Sequence, residues 1–135
     1  MADYCTSPSY LALVHGALHY MLEDEGNPKE MEIEHLTVGL PLNNFDTYRA
    51  RLIDVVRGRH AIFSPDPNVG LRHVTVMDAS VIVQPLGSLY YYGLVNSDFD
   101  TSGWNLVIDV GGGTIDFLVA FDKAPNYVRS GAHPE

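Results

Sequence analysis

Apolar residues recur at helical spacing near the start of the chain, at Leu11, Val14, Leu18 and Met21, with Leu22 widening the stripe. Thr6-Ser7-Pro8 supplies a hydroxyl cap followed by a first-turn proline, which predicts a helix over about 8–23. The acidic run from Glu23 to Pro28 ends it. Met31 to Val38 alternates apolar with polar at first and then turns apolar, as a strand does on entering a sheet interior. Gly39-Leu40-Pro41 breaks that strand, and Asn43 or Asn44 caps a second helix carrying Phe45, Tyr48, Leu52 and Val56 on one face, stopped at Gly58. His60 to Phe63 reads as a short strand, Ser64 to Gly70 as a loop, and Arg72 to Val83 as a longer strand with a bulge near Asp78-Ala79-Ser80. Pro85 opens a third helix, reaching about Leu94. A polar link, Asn96 to Gly103, leads to two apolar runs, Trp104 to Ile108 and Phe117 to Phe121. The tail beyond Asp122 has no strong period and reads as partly disordered.

Between the last two runs lies Asp109-Val110-Gly111-Gly112-Gly113-Thr114-Ile115-Asp116, around which the rest is organised. Glycines between two strand-like runs predict a tight hairpin. One or two glycines suffice for a turn, and a third raises the entropic cost of folding. Close approach of the backbone to another group explains the excess. Amides of such a turn can cradle a phosphate, and Asp109 can hold a hydrated Mg²⁺ beside it. A glycine-rich hairpin without a ligand is the competing reading. A Walker A loop is excluded because no Gly-Lys-Ser/Thr follows, and a dinucleotide fingerprint because a strand follows instead of a helix.

Composition narrows the function classes. The 135 residues are 46% hydrophobic, enough for a packed core, and carry a net charge of −9. That charge argues against a broad nucleic-acid face, which needs clustered cations. Arg49, Arg51, Arg57 and Arg59 form the densest cationic group, and on a helix they point several ways. No apolar run approaches the ~20 residues needed to span a bilayer. The N-terminus has no basic stretch followed by an apolar one. A lone cysteine, Cys5, cannot form an internal disulfide and fits a reducing, cytoplasmic setting. His15 and His19 stand one helical turn apart, a metal-ligand spacing, but as boundary histidines they need no metal.

Asp109 to Asp116 resembles the second phosphate motif of the superfamily that unites actins, DnaK-type chaperones and sugar kinases. Upstream, the stretch from Val83-Gln84-Pro85-Leu86-Gly87-Ser88 on to Leu94 is similar to that superfamily's connecting motif. Thr37-Val38-Gly39-Leu40-Pro41 and the stretch from Pro8 to Leu18 resemble plasmid-segregation actins of the ParM/StbA type and the actin-like protein D of PRTRC plasmid systems.

The resemblance implies an α/β fold: an incomplete ribonuclease H-like, actin-like ATPase lobe with a mixed sheet and packed helices. Residues 1–100 would be the remainder of a first lobe, and 101–135 the first phosphate-binding hairpin of a second lobe with its tail. It further implies ATP (or GTP) and Mg²⁺ as cofactors. Gly111, Gly112, Gly113 and Thr114 would hold the outer phosphates, Asp109 would orient Mg²⁺ through water, and Gln84 would position the attacking water. Phosphoryl transfer is chiefly positioning and charge stabilisation, and a neutral amide orients water without strongly accepting its proton. Slow, switch-like hydrolysis follows. The first phosphate motif, the adenosine segment and the second connecting motif have no counterpart in the sequence, so it reads as a piece that alone is inactive. Expected partners are other copies in a filament and a DNA-binding adaptor protein, with no direct nucleic acid or membrane contact. A chaperone-like or sugar-kinase-like member, or an interaction module that keeps the fold without hydrolysis, are the alternatives.

Overall fold

The computed structural model describes residues 7–134. Cys5 and Thr6, named above, lie outside them. Seven strands and three α-helices follow in chain order: α1 (Pro8–Asp24), β1 (Glu30–Leu40), α2 (Phe45–Val56), β2 (Gly58–Phe63), β3 (Leu71–Val83), α3 (Gln84–Val95), β4 (Trp104–Val110), β5 (Thr114–Phe121), β6 (Ala124–Pro125) and β7 (Gly131–Pro134), with a 3-10 turn at Leu42–Asn44. They divide into two compact units, one of the chain up to Val38 with Tyr48–Val81, the other of Gly39–Thr47 with the chain from Ile82 on.

The first unit holds a three-stranded sheet in the order β1-β3-β2. β2 and β3 form an antiparallel pair from Gly58↔Val76 to Phe63↔Leu71. β1 and β3 run the same way: His73 N–H donates to Lys29 O at one end, and His35 bonds to Asp78 and Ser80 further on. The sheet is therefore mixed. α1 starts where Ser7 Oγ accepts from the Tyr10 amide, with Pro8 in the first turn. It ends where Gly26 and Asn27 take positive φ and the Asn27 amide returns to Leu22 O. Leu18 and Leu22 from α1, Leu52 and Val56 from α2, Ile62 from β2 and Val74 and Val76 from β3 are all buried, which fixes these elements as the walls of one core. In β3 burial falls on even positions from Arg72 to Val76 and on odd ones at Ala79 and Val83. Met77 and Asp78 are both exposed between them, a phase slip of the kind a bulge produces, one residue ahead of the expected stretch.

The second unit centres on β5. It pairs antiparallel with β4 on one edge and with β6 and β7 on the other. α3 packs on β4 and β5. Leu118 and Ala120 from β5 and Leu86 and Leu89 from α3 are buried there. The tail departs from expectation: a turn at Asp122 and Lys123, both at positive φ, leads into β6, and β7 returns along β5. Gly131 lies opposite Phe117, whose ring is 2.8 Å from where a Cβ would stand. The aromatic ring fills the missing side chain's place, a packing term that periodicity does not carry. β1 likewise continues through Gly39 and Leu40, with Pro41 as its true end.

A phosphate-hairpin candidate site

The apolar runs on either side of the three glycines form the hairpin that the sequence predicts, registered from Trp104↔Phe121 to Val110↔Ile115. Gly111 N–H donates to Thr114 O at 2.9 Å and closes the turn. That amide is therefore spent within the hairpin. None of Gly111, Gly112 and Gly113 is among the glycines at positive φ, which are Gly26, Gly58, Gly70 and Gly103. A Cβ on Gly112 or Gly113 would meet nothing within 4 Å. Backbone conformation and packing within the chain thus leave two of the three glycines unexplained.

Below the turn the register sets Asp109 opposite Asp116. Asp109 is half-buried and Asp116 buried, and Asp116 Oδ1 has no hydrogen-bond partner. Burial first, and then the Asp109 carboxylate, push the Asp116 carboxyl above its ordinary range. Two carboxylates facing across a hairpin, one with a buried oxygen lacking a donor, form a site short of positive charge. The sequence alone assigns Asp116 no role. The signal was available, because counting outward from the glycines pairs residue 109 with 116.

Gln84 is the first residue of α3 rather than the end of the preceding strand, and it is exposed. Its side chain lies against Gly39: a Cβ on Gly39 would come 2.8 Å from Gln84 Cγ and 3.6 Å from Gln84 Cα. The Gly-Leu-Pro segment and the connecting motif, read separately in the sequence, therefore meet in space, and glycine is what allows the approach. Through α3, Gln84 belongs to the element packed on β4, the strand that carries Asp109.

The remaining candidates are engaged elsewhere. His15 Nε2 is 3.2 Å from His60 Nδ1, and His60 Nε2 donates to Val56 O at 2.8 Å. Burial, then the nearby His60, lower the His15 pKa. His19 accepts from the fully buried Arg72, with Glu23 3.5 Å from its other nitrogen. Among the described residues no group of three or more metal-binding side chains converges, and no helix is long and apolar enough to cross a membrane.

Solved structures of similar shape are Alp7A, described as an actin-like protein, at 17% identity over 96% of this chain with a TM-score of 0.75, and Ta0583, described as an archaeal actin homolog, at 22% over 94% with 0.73. A third is the AlfA filament bound to AMPPNP, at 18% over 93% with 0.59. Ta0583 is also known in complex with ADP, at 22% identity over 75% of this chain and 33% of its own, with a TM-score of 0.58. The chain spans 39% of Alp7A, 38% of Ta0583 and 40% of AlfA. No curated protein matches it in sequence. Residues 1–87 match the family of actin-like proteins, N-terminal domain. An α/β fold with a mixed sheet, the neighbouring motifs at Gly39 and Gln84, and a family match over more than half of its length lead to one conclusion: the chain belongs to the actin-like proteins.

Proposed function

We propose that the chain is part of a slow, nucleotide-dependent filament protein of the plasmid-partition kind, and that its glycine hairpin receives the outer phosphates of ATP or GTP. The observation that carries this reading is the pair Gly112 and Gly113, glycines that neither φ nor packing within the chain requires. A phosphate approaching the backbone supplies the missing reason. With the Gly111 amide committed to Thr114 O, the donors left for the phosphate are Gly112, Gly113 and Thr114. Gly111 then serves by shaping the turn.

The residues present fit Mg²⁺. Asp116 Oδ1 is buried without a donor, and Asp109 faces it. Asp109, through water, and Asp116 would hold the ion, which when bound neutralises charge on the phosphates. Gln84 orients a water by its amide, with Gly39 setting the side chain's position. Residues 1–100 belong, in this reading, to a first lobe and 101–135 to the start of a second. The nucleotide complexes of Ta0583 and AlfA and the AlfA filament support it by analogy of fold. Self-association is thus the proposed partnership, with a DNA-binding adaptor joining the filament to its cargo.

Light scattering of the full-length protein with Mg-ATP tests this. Asp109→Ala should abolish nucleotide-dependent assembly while leaving the folded content intact by circular dichroism. Assembly at the unsubstituted level in Asp109→Ala would contradict the mechanism.

A further inference from the structure

On the exposed face of the first unit, far along β1 and β3 from their starts, four side chains form one directed hydrogen-bond chain. His35 Nδ1 is 3.1 Å from Asp78 Oδ2, His35 Nε2 is 2.9 Å from Ser80 Oγ, and Thr37 Oγ1 is 3.1 Å from Ser80 Oγ. The parallel strands produce this. Residues 35 and 37 share one face of β1, 78 and 80 share one face of β3, and the phase slip at Met77-Asp78 turns the second pair outward.

With His35 as the neutral imidazole, each bond takes one direction. Asp78, as a carboxylate, only accepts, so His35 carries its proton on Nδ1. Nε2 then offers a lone pair, and Ser80 must donate to it. Thr37 in turn donates to Ser80. The Asp78 carboxyl is held below its ordinary range, first by the Ala79 amide and then by His35, with Arg57 adding to the effect. A hydroxyl bonded to an imidazole that a carboxylate orients is the arrangement of an activated serine nucleophile, recognised by roles rather than by sequence order.

We propose that Ser80, His35 and Asp78 form an acyl-transfer site that hydrolyses small activated esters. His35 and Asp78 have side chains 48% and 61% exposed, so substrate is taken from solvent. Ser80 Oγ attacks the ester carbonyl, forming the Oγ–C bond, and its proton passes to His35 Nε2. The bond from carbon to the leaving oxygen breaks, and the alcohol departs with the proton from Nε2. Water then attacks the acyl-Ser80 carbon, again giving its proton to His35. Ser80 leaves with that proton, and a carboxylic acid is released. Ester and water are consumed, acid and alcohol produced, with no other reactant. Thr37 Oγ1, which donates to Ser80 Oγ, positions the nucleophile. Asp78 is a positioning residue.

A fluorophosphonate probe, whose phosphorus takes the serine oxygen and loses fluoride, followed by peptide mass mapping, locates the nucleophile. The expected result is a single adduct on Ser80, with p-nitrophenyl acetate hydrolysis falling about tenfold or more in Ser80→Ala. His35→Ala should lose the adduct and regain it in added imidazole, which a merely structural histidine would not do. Ser80→Cys, of the same shape, should be alkylated by iodoacetamide faster than in a Ser80→Cys/His35→Ala double variant, which covers the case where Ser80→Ala does not fold. No adduct at Ser80, ester hydrolysis unchanged in Ser80→Ala, or alkylation of Cys at 80 indifferent to His35 would each overturn the proposal.

Discussion

Asp116 carries the largest electrostatic tension in the hairpin, since it is buried, faces Asp109, and has one carboxylate oxygen without a donor. Its pKa lies above the ordinary 3.8. The folded state therefore binds this proton more tightly than the unfolded chain does, and stability falls as pH rises from 3.8 through the raised folded value. Asp116→Asn removes that loss. The variant should melt at a higher temperature than the parent at neutral pH, with the gap closing in acid, as thermal melts over a pH series will show. A gap that widens in acid would contradict this. Residue-level chemistry of this kind was only partly legible in the sequence. Asp109 and the glycines stood out by type and spacing, and Gln84 by resemblance. The burial of Asp116 is a tertiary property, which no local pattern states.

Elements were more legible than side chains because periodicity reports burial directly. The helix begun at Pro8, the paired runs around the glycines and the helix after Gln84 all follow from spacing and cap residues. The tail was misread for a physical reason: Gly131 to Pro134 has little apolar content of its own and is held as a strand by pairing with β5 and by the Phe117 ring over Gly131. Side-chain volume at that glycine should therefore unseat the strand. Gly131→Val forces the ring aside and should cost about 1–3 kcal/mol. Hydrogen exchange of the amides at 114–117 should accelerate in this variant, while those of β2 and β3 stay protected. Equal protection of β7's partners in variant and parent would show that the packing does not hold the strand.

Beyond single elements, the outer face of β4 is an exposed surface that the fold leaves unexplained. Trp104, Leu106, Ile108 and Val110 are 60–68% exposed, and Ile115, Phe117 and Phe121 on β5 continue the face. A contiguous apolar patch of this kind is an adhesive surface in water. Ile108→Lys should reduce concentration-dependent association in sedimentation velocity and, being a substitution at an exposed position, should change stability by no more than about 0.5 kcal/mol. Association unchanged by the lysine would place the contact elsewhere.

In the proposed reading, Gly112 and Gly113 stay bare to admit an anion. A ¹⁵N–¹H spectrum of the full-length protein titrated with Mg-ATP reads those amides individually. Saturable shifts are expected at Gly112, Gly113 and Thr114, lost in Gly113→Val, with Gly26, Gly58 and Gly70 unmoved. Glycine amides at 112 and 113 that stay in place at millimolar nucleotide, or that move no more than Gly26, would contradict it.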